Sequence, residues 1–237
     1  MKRIIILFAA ALLLAVPAIA LTVAPVAAQQ LDRALAAYEA GDYAAAFGLL
    51  QPLAEEGDLH AQHQLGIMYY LGRGVAADPE RAALWTRRAA EQGYVKAQNN
   101  YAYLLFWGEG VEKDRPEAVR WYVRAAEQGD VPSANTLGTL FRFGHGVPKN
   151  DAEAAKWFSR AAAQGHVEAQ LYLGVMYERG EGVKQDRVHA QTLYLLAAAA
   201  GDSEAAKNRD FNARNLTGAQ NAEAERLAGE LQQLQPR

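Results

Sequence analysis

The residues able to do covalent chemistry are few and badly spaced for it. Cysteine is absent from the 237 residues, which removes disulfides, thiolate nucleophiles, thiolate-ligated zinc and iron–sulfur clusters together. Beyond the N-terminal segment the serines are Ser133, Ser159 and Ser203. None has a lysine three residues later, so the Ser-x-x-Lys nucleophile motif fails. The histidines are His60, His63, His145, His166 and His189, and no His-Glu-x-x-His occurs among them. His60 and His63 are spaced i, i+3 and could touch one metal ion, but no third ligand stands with them. They are read as exposed helix histidines. Four Gly-x-Gly segments imitate a phosphate cradle, yet they lack the third glycine of a dinucleotide fingerprint and recur in fixed register, which makes them helix ends. A net charge of −3 without a long basic run leaves no nucleic-acid footprint. The expectation is a chain with no catalytic residue, no metal site and no cofactor.

The elements that carry these residues are set by an internal repeat. Copies start at Ala61, Ala97, Ser133 and Ala169, a period of 36 with no insertion. Gly72, Gly108, Gly144 and Gly180 align, as do Gly74, Gly110, Gly146 and Gly182, and then Gly93, Gly129, Gly165 and Gly201. Such self-similarity is the signature of an array. Each unit reads as two helices. The first runs from about Ala61 to Leu71, with Ala61, Leu65, Met68 and Tyr69 on one helical face. Gly72 supplies a left-handed stop, and Val75, Val111, Val147 and Val183 pin the loop into the core. Asp78 is an N-cap with Pro79 behind it. The second helix carries Ala82, Trp85, Ala89 and Ala90, with Trp121, Trp157 and Leu193 in the slot of Trp85. One hairpin cannot bury its own apolar face, so neighbours must stack.

The first 28 residues read as a signal peptide. Lys2 and Arg3 precede an apolar run, Ile4 to Val16, that ends near Pro17. Cleavage is expected after Ala28, with Ala20 as a second option. An uncleaved anchor is the competing reading, because Ile4 to Ala28 carries no charge; Pro17 and Pro25 count against it. Either way the remainder is sent across a membrane, and a bacterial periplasm is the expected destination. Without Lys2 and Arg3 the net charge moves from −3 to −5. Residues 29–60 form an N-terminal hairpin of tetratricopeptide type, in which Tyr38 and Gly41 keep the unit's spacing. Four repeats follow over 61–96, 97–132, 133–168 and 169–204. Residues 205–237 form C-terminal capping helices, the last opened at Thr217 by a capping box with Gln220.

Ala61, Leu65, Gly66, Tyr69, Gly72, Gly74, Val75, Asp78, Ala82, Trp85, Ala89, Ala90 and Gly93 together resemble the Sel-one-like repeat (SLR), the longer-looped cousin of the tetratricopeptide repeat. The second copy departs from that pattern with Tyr101, Ala102 and Leu105, the third with Ser133 and Asn150, the fourth with Leu193. The resemblance implies an all-α, right-handed α/α solenoid used as an adaptor for a protein or peptide. Periplasmic relatives regulate sensor kinases, support envelope assembly or bind host proteins. A cysteine-rich branch is linked to β-lactam hydrolysis, but its defining cysteines are missing here. An exported envelope adaptor is therefore the first reading. A cell-wall or β-lactam hydrolase is the alternative, and a secreted effector that grips a host protein is a third.

By the same resemblance, recognition uses the concave face lined by the first helix of each unit. The middle units carry the distinctive slots: Lys96, Asn99, Asn100, Tyr103, Phe106 and Trp107, then Asn135, Arg142 and Phe143. The asparagines can each donate and accept, as an extended peptide backbone requires. The aromatics would anchor side chains, and Lys96 and Arg142 would meet a carboxylate. The plainer reading packs Tyr103, Phe106 and Trp107 between helices and leaves the asparagines as solvated surface.

Overall fold

The computed structural model describes residues 19–234, so Lys2, Arg3 and the apolar run Ile4 to Val16 lie outside the described residues. Among the described residues the chain is helical throughout, with no strand. Helix α1 (Ile19–Glu39) pairs with α2 (Tyr43–Glu55), α3 (Leu59–Leu71) with α4 (Pro79–Glu91), and α5 (Val95–Trp107) with α6 (Arg115–Glu127). The series continues with α7 (Val131–Phe143) and α8 (Asp151–Ala163), then α9 (Val167–Arg179) and α10 (Arg187–Ala199). Helices α11 (Ser203–Ala213) and α12 (Gly218–Leu234) close the array. Each helix from α1 to α10 packs on the next, and α12 returns to lie on α10. This is the α-solenoid of helix hairpins that the 36-residue period calls for. Helix α1 runs unbroken through Ala28, and from Ala27 onward its apolar side chains join the core of the first hairpin.

The helices start and stop where local chemistry dictates. Asp78, Asp114, Asn150 and Asp186 accept hydrogen bonds from the backbone amides of Arg81, Glu117, Glu153 and His189, opening α4, α6, α8 and α10. Each such cap stabilises by about 1 kcal/mol. Helix α5 is the exception among the first helices of the four repeats, since Tyr94 provides no side-chain cap. Gly72 closes α3 at φ +66° with its amide on the Met68 carbonyl, a conformation that costs an L-residue about 1–2 kcal/mol. The second glycine of each loop has a further duty that the spacing does not reveal. At Gly110 a Cβ would stand 1.9 Å from the Pro79 carbonyl oxygen, so the loop lies directly on the start of the preceding unit's second helix.

Packing follows the expected faces. Ala61, Leu65, Met68 and Tyr69 are all buried, as are Ala82, Ala118, Ala154 and Ala190 where the paired helices approach closely. Trp85, Trp121 and Trp157 are buried, and each carries an arginine one turn on, Arg88, Arg124 and Arg160, with guanidinium carbons 4.6, 4.2 and 4.5 Å from the ring. Buried glutamines tie unit to unit. The Nε2 of Gln62, Gln98 and Gln170 donates to the carbonyls of Ala54, Ala90 and Ala162, near the end of the preceding second helix. At the C-terminal end, Thr217 Oγ1 accepts from the Gln220 amide while Gln220 Oε1 accepts from the Thr217 amide, the reciprocal capping box.

Candidate binding face

The period places the first helices α3, α5, α7 and α9 side by side, and the asparagines of the middle units lie in the seams between them. Asn100 Nδ2 donates to His63 Nε2 at 3.0 Å, joining α5 to α3. Asn99 Nδ2 donates to Ser133 Oγ at 2.7 Å and to Asp130 Oδ2 at 3.0 Å, joining α5 to α7. Asn135 Nδ2 donates to Glu168 Oε2 at 2.8 Å, joining α7 to α9. Arg142 reaches across the same seam to the Tyr172 carbonyl and the Glu181 carboxylate, at 3.5 and 3.2 Å. These side chains were expected to meet a peptide backbone or a carboxylate from outside. In the structure each of them bonds to a neighbouring unit, because the seam is narrow enough for these side chains to bridge. Asn135 is 8% exposed and its Oδ1 is buried without a partner.

His63 also departs from expectation. It is buried rather than exposed, its ring edge-on to Tyr94 at 5.0 Å, while His60 meets the same tyrosine at 4.8 Å from the surface. Burial, with Lys96 and then His60 adding like charge, lowers its pKa to about 4. The neutral imidazole keeps a lone pair on Nε2 for the Asn100 amide.

The aromatic slots divide. Tyr103 is 42% exposed, and Trp107 and Phe143 are each 53% exposed. Phe106 is 8% exposed and lies under the Arg115 guanidinium at 4.8 Å, so it is removed from the face. One residue along a helix turns the side chain through about 100°, which carries Phe106 towards α6 while Trp107 faces water. Lys96 is exposed in the first turn of α5. Tyr70 and Leu71 at the end of α3 are exposed too. Leu71, Trp107 and Phe143 occupy one repeat slot, immediately before the terminal glycines of α3, α5 and α7, and so form an apolar row across three units. The Glu109 carboxylate near the Tyr70 hydroxyl raises that phenol above its ordinary range, with burial and Tyr103 adding to the effect.

A cleft of about 160 Å³ opens on this face between α3 and α5, above α4. Gly66, Ala82, Thr86 and Leu104 line it together with Tyr70 and Tyr103. Sequence reasoning passed over Thr86, although the signal was present in the repeat register: the corresponding residues are Tyr122, Phe158 and Tyr194. In the third and fourth units the ring lies against a glycine of its own first helix. A Cβ on Gly138 would be 2.5 Å from Phe158, and one on Gly174 would be 2.6 Å from Tyr194.

Among the described residues no group of three or more His, Asp or Glu side chains could hold a metal ion. No helix among them is long and apolar enough to cross a membrane. The Sel1 repeat model matches residues 59–94, 95–130, 132–166 and 167–202. A protective antigen present in uropathogenic Escherichia coli strains, displaying an SLR fold, is 35% identical with a TM-score of 0.78; the match covers 86% of this chain and 46% of the antigen. A Sel1 repeat protein from Oxalobacter formigenes is 38% identical with a TM-score of 0.65, covering 70% of this chain and 48% of its own. The chain thus spans about half the length of both relatives. Among curated proteins none matches it. The fold is consistent with a protein-binding repeat scaffold, and the four matched units, continuous in both sequence and structure, make this chain a member of the Sel1 repeat family.

Proposed function

We propose that this chain is an exported scaffold of the bacterial envelope that holds a protein or peptide partner on the face formed by its first helices. The observation that carries this reading is the exposed apolar row Leu71, Trp107 and Phe143, with Tyr70 and Tyr103 beside it. Exposed aromatics grouped on one face are the residues that dominate binding energy at protein interfaces. The second helices support the reading from the other side, because their tryptophans are buried in the core. Residues 1–28, with a basic start and an apolar run, support export, and removal after Ala28 would leave Gln29 to Glu39 of α1 in the first hairpin.

The test is photocrosslinking in the producing cell, with a photoreactive residue at Tyr103 and a control at Arg124 on α6. One dominant protein adduct from Tyr103, absent from Arg124, is the expected result. Equal labelling from both positions would remove the assignment of this face.

A further inference from the structure

The cleft between α3 and α5 deepens the reading above, on which it rests, because its shape and charge specify what enters. Three units carry a buried ring in this slot of the second helix, Tyr122, Phe158 or Tyr194, and the last two lie directly over a glycine of the first helix. The first unit has the smaller Thr86 there, buried with its hydroxyl against Gly66, where a Cβ would stand 2.4 Å from Oγ1, and no ring extends beyond it. The consequence is an apolar cleft of about 160 Å³ with its mouth on the proposed binding face. An apolar cavity of about 150 Å³ is enough to take up benzene. Beside the mouth stands Glu109, its amide donating to the carbonyl of the lining residue Leu104 at 3.0 Å and its carboxylate close enough to raise the Tyr70 phenol, and it forms no ion pair among the described residues. Its carboxylate therefore stands with Tyr70 and Tyr103, a setting that favours a cation through charge and through the ring faces.

We infer that the first repeat is a socket for one aromatic side chain of a partner peptide, with a basic residue next to it meeting Glu109. The inserted ring takes the place that Tyr122, Phe158 and Tyr194 occupy from within in the other units. The partner is thus an aromatic–basic peptide segment rather than an acidic one.

The probe is the capped peptide acetyl-Ala-Phe-Arg-Ala-amide, titrated into the purified chain and followed by amide chemical shifts. Shifts centred on Gly66, Thr86 and Leu104 are expected, with binding weakened by about tenfold or more when Ala replaces Phe. Replacing Arg by Glu weakens binding to the native chain, and Glu109→Gln removes most of that difference. Thr86→Phe fills the socket from inside as Phe158 does, so it abolishes binding and raises the thermal midpoint. Thr86→Leu serves should the larger residue prevent folding. Undiminished binding to a folded Thr86 variant, shifts centred elsewhere, or no binding to the native chain would each overturn the socket. A Tyr103 crosslink that persists in the Thr86→Phe chain would leave the face in place and remove only the socket as its anchor.

Discussion

Protonation of His63 is expected to weaken the seam between α3 and α5, and its size follows from the geometry. The imidazole is 8% exposed, edge-on to Tyr94, and accepts from the Asn100 amide. Burial, then the charges of Lys96 and His60, hold its pKa at about 4 against an ordinary 6.5. The folded chain therefore resists a proton that the unfolded chain accepts. Stability from this residue is complete above pH 6.5, declines as pH falls, and is fully lost below pH 4. With 1.36 kcal/mol per pKa unit, the whole difference is about 3 kcal/mol, of which about 2 kcal/mol is gone by pH 5. Urea denaturation of the native chain and of His63→Gln at pH 7 and pH 5 measures it. Carboxylates that titrate in this range act on both proteins, so the native chain should lose about 2 kcal/mol more than the variant. Equal losses, or a His63 titration near pH 6.5 by NMR, would refute the reasoning.

Three further expectations test the ties between units. Gly93→Ala should cost about 1–2 kcal/mol, because Gly93 has φ +90° with open space around it; Gly110→Ala should cost about 1–3 kcal/mol more, because Pro79 occupies the space its Cβ needs. Paired thermal melts compare the two, and equal midpoints would remove the steric argument. Asn99→Ala should lower stability by about 1–2 kcal/mol, since Asp130 and Ser133 lose its amide; an unchanged denaturant midpoint would return Asn99 to the role of a peptide donor. Trp121→Ala should cost about 3–5 kcal/mol, read by denaturation, as a buried ring edge-on to Tyr101 and covered by Arg124 is deleted.

Much of the architecture was legible before any coordinates, for a physical reason. A repeat whose hairpins cannot fold alone must reuse the same stops, caps and core residues at each turn of the array. Gly72, Asp78, Ala82 and Trp85 therefore announce themselves by recurrence, and each does locally what its residue type permits. The capping box of Thr217 and Gln220 was readable in the same way, because its bonds close within four residues. Recurrence is silent on residues that differ between units, and the candidate site is made of those. Asn99, Asn100 and Asn135 have the chemistry to grip a peptide, and only the distance between neighbouring helices shows that each also bonds to the next unit. Phe106 and Trp107 are alike in chemistry and adjacent in sequence; the turn of α5 carries one ring under Arg115 of α6 and leaves the other exposed. Thr86 is unremarkable as a residue, and it becomes a cleft only because Tyr122, Phe158 and Tyr194 show what the packed solenoid normally places there. Local chemistry determined the helices, and the spacing between them decided which side chains are left over to meet a partner.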